Sequence, residues 1–130
     1  MDSHISDSET VARFIFSSSD YKVSNLTVKY SAFMPARDLA ASVYRIDGCS
    51  EPDIAQIDQD HISGKRKDGK ISKGRADILV EHVRKLKLNV VSEPSPHPRH
   101  ANIEGYSSNE SENRMKALEL AQQSKLVLKK

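Results

Sequence analysis

Three prolines stand at alternate positions in Glu93-Pro94-Ser95-Pro96-His97-Pro98, and no helix can run through such a stretch. Each proline fixes φ and removes a backbone donor, and each pushes the residue before it toward extended structure. Beyond it, His100–Glu104 is expected to continue as a strand, with Ala101 and Ile103 on one side.

Upstream, the pattern is that of strands followed by helices. Val11–Phe16 is rich in β-branched and aromatic residues and reads as a strand. Serines and Asp20 then mark a reversal. Leu26, Val28, Tyr30 and Ala32 alternate with polar residues, which predicts a half-buried strand ended by Pro35. Ser42–Asp47 reads as a third, and three in succession suggest a meander. Ser50-Glu51-Pro52-Asp53 is a helix start: a serine to accept a backbone N–H, a proline for the first turn and acids for the positive dipole end. Ile54, Ile57 and Ile62 follow, with Gly64 as C-cap. Ala76, Leu79, Val80, Val83 and Leu86 recur at helical steps and predict a second helix. Leu88–Val91 reads as a short strand. A last helix is expected over Ser111–Ser124 with Met115, Leu118 and Ala121 inward, and Leu126–Leu128 fits helix or strand. The order βββ-α-α-β-β-α predicts an α+β fold: a mainly antiparallel sheet of four to five strands with about three helices packed on one face.

A chain of 130 residues is one domain by length. Its hydrophobic fraction of 37% against 29% charged residues predicts a modest core. The polar excess gathers partly at the start, so residues 1–9 are expected to form a loosely ordered tail on a single domain spanning 10–130. The sequence has no apolar run of membrane-spanning length and no signal-peptide pattern, and its single cysteine, Cys49, fits a reducing cytoplasm. Charge is unevenly spread: residues 1–64 carry 5 Lys and Arg against 10 Asp and Glu, residues 65–130 carry 15 against 8. Such a split suits an anionic partner, or two halves that attract each other within the fold or across a homodimer.

Two segments are candidate sites. Lys65, Arg66, Lys67, Lys70, Lys73 and Arg75 form a basic loop suited to tracking phosphates, although no aromatic in it stacks bases and the P-loop order of Gly and Lys is absent. His97, Arg99 and His100 sit with Asn102 on the proline-stiffened loop, where histidine can serve as acid–base and arginine can hold a phosphate or carboxylate. A metal there would need further ligands from His61, His82, Asp58, Asp60 or Glu104, and no spacing predicts one, so neither metal nor cofactor is expected. His-Ile-Ser occurs at His4–Ser6 and His61–Ser63, but a copy in a polar tail does not make a two-histidine phosphoesterase. Three functions stay open: an interaction or accessory protein without catalysis, a nucleic-acid binder through the basic loop, and a small enzyme on an anionic substrate with His100 as acid–base and Arg99 as anion clamp.

AFMPARDLAASVYRID, PRHANIEGY and LELAQQSKLVL, with Pro35, Ser42–Ile46 and Pro98–Ile103 the most distinctive words, together resemble a family of small uncharacterised bacterial proteins carried on mobile elements and gene cassettes. The resemblance spans residues 11–128. It implies a bacterial accessory or adaptive gene product, implies no activity, and directs attention to Arg99 and His100.

Overall fold

The computed structural model describes residues 5–94 and 97–129. His4, Ser95 and Pro96, on which parts of the readings above fall, lie outside them. The architecture is α+β. Six strands form one antiparallel sheet: β1 (Thr10–Ile15), β4 (Ala41–Arg45), β5 (Gly74–Leu79), β6 (Asn89–Ser92), β7 (His100–Glu104) and β8 (Lys125–Leu128), in the order β6-β7-β4-β1-β5-β8. A small ribbon pairs β2 (Tyr21–Lys22) with β3 (Thr27–Val28). The helices are α1 (Glu51–Ile57), α2 (Val80–Arg84) and α3 (Glu110–Gln123). Among the described residues no helix is long and apolar enough to cross a membrane.

Central β1 pairs with β4 on one side and β5 on the other, so the expected meander is absent. The reason lies in Leu26–Ala32. Leu26 takes φ 53°, a left-handed turn value, and the strand beyond it lasts only Thr27–Val28. Tyr30–Phe33 then coils into a 3-10 turn that buries Ala32 and Phe33, and the Tyr106 hydroxyl donates to the Phe33 carbonyl at 2.7 Å. Burying Phe33 is worth about 1.5–3 kcal/mol, a gain the strand reading would forgo.

The predicted second helix divides in two. Ala76 and Ile78 face the core with strand spacing, and helical spacing begins only at Val80 and Val83. In α3 the buried residues are Asn113, Ala117, Leu120 and Ala121, while Met115 is 71% exposed, so the inward stripe is rotated from the expected one. Asn113 explains the rotation: its side chain accepts from the Ser107 N–H and donates to the Ser107 carbonyl, fixing which side of the helix enters.

The α1 start is as expected. Ser50 Oγ accepts from the Asp53 N–H at 3.2 Å and Asp53 Oδ2 from the Ser50 N–H at 3.1 Å. The helix then widens into a π turn over Asp58–Ile62. Gly64 is needed for closeness, not as a left-handed cap: a Cβ there would collide with the Gln59 carbonyl.

Residues 5–9, read above as part of a loosely ordered tail, pack on the domain. Ile5 is buried in the core, Arg84 Nη2 donates to its carbonyl at 2.6 Å, and Glu9 pairs with Arg45. Alternation along the strands separates two faces. Val11, Ile15, Val43, Ile78 and Ile103 meet α2, α3 and Phe33 on one; Ala12 and Phe14 meet Ile54 of α1 on the other. Two helices, not three, therefore share a face.

Candidate functional site

The register of β4 and β7 sets Ser42 opposite Asn102 and Tyr44 opposite His100. All four point away from Val43, Ala101 and Ile103, onto the face that α1 covers only in part. Ser42, exposed, places Oγ 2.7 Å from His100 Nε2. The other ring nitrogen, Nδ1, lies 2.9 Å from the Glu93 carbonyl oxygen. A carbonyl only accepts, so Nδ1 carries the proton; in the neutral ring Nε2 is then the acceptor and the Ser42 hydroxyl donates to it. A hydroxyl, an imidazole and a carbonyl that fixes the imidazole's tautomer thus follow one another in one hydrogen-bonded chain. Asn102, opposite Ser42 in register, donates from Nδ2 to Glu93 Oε2 at 3.1 Å.

The aromatic row continues from His100 to Tyr44 at 5.2 Å, to His97 at 6.0 Å and to His61 at 4.8 Å. His97 is held by its own turn: Nδ1 accepts from the Arg99 N–H at 3.0 Å, so its neutral form carries the proton on Nε2. Burial, then the neighbouring His61 and Arg99, holds the His97 imidazole below its ordinary pKa. His61 arrives on the π turn, a helix irregularity common at functional sites, and its Nδ1 is buried without a partner. Together His61, His97 and Arg99 line a cleft of about 230 Å³ with Cys49, Asp53 and Asp60. Asp53 is used by the α1 cap and Asp60 accepts from Gln56 at 2.8 Å, so these acids are already engaged. Arg99 Nη1 donates to the Arg45 and Asp47 carbonyls at 3.2 and 3.0 Å, which anchors the guanidinium at the cleft rim. Among the described residues no three His, Cys, Asp or Glu side chains converge to hold a metal ion.

Of the expected residues, the structure therefore joins His97 and Arg99 in one cleft and places His100 beside it, against Ser42. Ser42 was not among them, and His61 was raised only as a possible metal ligand. They stand 58 and 36 positions from the histidines they meet, and only the strand register and the π turn bring them in. The basic loop fares differently. Arg66 folds back on Asp68, with Nη2–Oδ2 2.7 Å, and lies 4.2 Å over the Phe16 ring; the hydrogen bond from Arg66 holds the Asp68 carboxyl down at about 2. Arg75 is not in the loop but in β5, 9% exposed, with Nη1 and Nη2 on Glu51 at 2.9 and 2.7 Å and Nε on Asp77. Two of the six charges are thus taken by carboxylates, and Lys67, Lys70 and Lys73 remain exposed. The Lys65 side chain lies outside the description. No family model, curated protein or solved structure matches the chain.

Proposed function

We propose that the chain is a small hydrolase for an anionic ester, with Ser42 as nucleophile, His100 as general base and Arg99 holding the substrate's negative group. The observation that carries this is the Ser42 Oγ–His100 Nε2 contact of 2.7 Å with His100 Nδ1 fixed on a backbone carbonyl at 2.9 Å. That geometry sets the base in the tautomer that can take the serine proton, the role an aspartate plays in the familiar triad.

The chemistry balances with these groups alone. Ser42 Oγ adds to the acyl carbon as its proton passes to His100 Nε2, and Asn102, opposite Ser42 in register, has a spare N–H to donate to the oxygen that becomes negative. The imidazolium returns the proton to the departing alcohol oxygen, leaving acyl-Ser42. Water then adds to the acyl carbon, gives its proton to His100 and releases the acid, and Ser42 recovers its proton. A base placed in this way contributes on the order of a hundred- to ten-thousand-fold in rate. The cleft at His97, His61 and Arg99 continues the same surface, which favours substrates with a carboxylate or phosphate distal to the reacting bond.

A fluorophosphonate that modifies activated serines tests this. Peptide mapping should find the adduct on Ser42, absent in Ser42→Ala and much reduced in His100→Gln. Esters of 4-nitrophenol should be cleaved faster when the acyl group is succinyl than when it is acetyl, and Arg99→Gln should erase that preference. An unlabelled Ser42 in the folded protein, or equal labelling with His100→Gln, would defeat the reading.

A further inference from the structure

A second hollow, of about 390 Å³, opens on the same sheet face at its other side, between α1 and the β5–β8 edge. Its walls are Phe14, Ile54, Ala55, Val127 and Leu128. Gly74 shapes one wall, since a Cβ there would collide with the Val127 carbonyl, so β8 lies tight against β5. At its floor is the carboxylate of Asp58, a residue only 2% exposed.

A carboxylate that deep persists only if its charge is met. Ser63 Oγ donates to Oδ1 at 2.6 Å, Ser72 Oγ donates to Oδ2, and the Lys129 ammonium sits 2.6 Å from Oδ2. Burial works to raise the Asp58 carboxyl, and the hydrogen bonds from Lys129, Ser63 and Ser72 outweigh it. Lys129 differs from the two serines in being able to leave. Its side chain is 45% exposed, and its backbone N–H is pinned on the Lys73 carbonyl at 3.0 Å, so the stem alone need swing. It also borders a neighbouring depression of about 370 Å³ that shares Ala55 and Asp58, and thus lies between two hollows. Arg75, the other cation in the wall, is held by Glu51 and Asp77 and offers little to an anion.

We propose that this cleft binds a small amphipathic amine, an ammonium head on an apolar body, whose head takes the place of the Lys129 ammonium on Asp58. The apolar walls take the body, the buried carboxylate selects the charge, and the volume is that of an ordinary small-molecule site. Lys129 then acts as a built-in competitor. The inference stands apart from Ser42 and His100 and does not depend on them.

The test is a titration of the full chain at neutral pH with n-hexylamine and with hexanoate, followed by calorimetry and by backbone amide shifts. Hexylamine should saturate and shift the amides of Ala55, Gly74 and Val127, while hexanoate does not. Lys129→Met, which keeps the apolar stem, should bind hexylamine several-fold tighter. The proposal is overturned by equal binding of hexanoate, by no saturable binding of hexylamine, or by unchanged affinity in a folded Lys129→Met. Should that variant not fold, the amine-over-carboxylate preference of the unaltered chain decides alone.

Discussion

The two faces of the sheet are written by the same strands and have opposite chemistry. Along β1, Val11 and Ile15 look toward α2, α3 and the 3-10 turn, while Ala12 and Phe14 look toward α1. Along β7, Ala101 and Ile103 are fully buried, and His100 and Asn102 between them carry hydrogen bonds on the open side. The first face is closed by two helices and a turn; Arg13 is its polar exception, with Nε and Nη1 donating to the Ala32 and Ser42 carbonyls at 3.0 and 2.8 Å. The second is closed only partly by α1, and both hollows argued above lie along that helix. A face half covered leaves room for ligands and must settle its charges in pairs. Stability and chemistry are thereby divided between alternate residues of one strand.

The sharpest way to break this division is to truncate neighbours in register. Ile103→Ala should cost about 2–5 kcal/mol, because the site under α2 and α3 cannot fully collapse around the missing atoms. Ser42→Ala, paired one step away but exposed, should stay within about 0.5 kcal/mol. Urea unfolding of both variants checks it. Comparable losses would mean the open face also supports the fold.

The same division decides what the sequence could disclose. β7 was legible because Ala101 and Ile103 alternate cleanly after a proline-stiffened loop, and α1 because its cap is local chemistry at Ser50 and Asp53. Leu26–Ala32 misled because alternation describes a half-buried strand only while φ stays negative, and Leu26 turns left-handed. At residues 76–86 a strand abuts a helix with no loop between them, so two periods merged into one apparent stripe. At the site, His97, Arg99 and His100 were visible as a dense local cluster. Ser42 was not, and His61 was raised only as one of several possible metal ligands, because a serine in a strand and a histidine near a helix end carry no local mark of their partners. Arg75 looked like part of a basic run, yet Glu51 and Asp77 claim it in space.

The Arg75 cluster offers a middle-sized test of how the open face settles charge. Burial raises the Asp77 carboxyl above its ordinary value despite the opposing pull of Arg75. Arg75→Met leaves that carboxylate, with a side chain 15% exposed, without its hydrogen-bonded cation and with only the weaker pull of Lys125. The expected loss is about 1–3 kcal/mol near neutral pH. Without Arg75 the carboxyl rises further, so the folded state binds a proton the unfolded chain does not, and the deficit should shrink as pH falls. Glu51→Gln is the control: that side chain is 71% exposed, and its loss should cost no more than about 0.5 kcal/mol. A deficit independent of pH would assign the loss to packing of the arginine stem instead.

The smallest expected effect belongs to His97 and bears most directly on the site. Burial, His61 and Arg99 all disfavour its charged form, so the folded protein keeps the ring neutral to a lower pH than the unfolded chain, whose ordinary value is 6.5. Between those two values the unfolded state binds more protons, and stability must rise with pH. The contribution is fully present above about 6.5 and is lost as pH falls through the folded value. His97→Gln should therefore flatten part of the decline in unfolding midpoint between pH 7.5 and 5.5. Ring nitrogen shifts should show His97 titrating below its ordinary value, protonated on Nε2 when neutral, and Arg99→Gln should move that titration upward. An ordinary titration would mean that His97 is solvated and that its ring and Arg99 do not share the cleft. The anionic end of the proposed substrate would then have lost its seat, while the Ser42–His100 pair would stand unaffected.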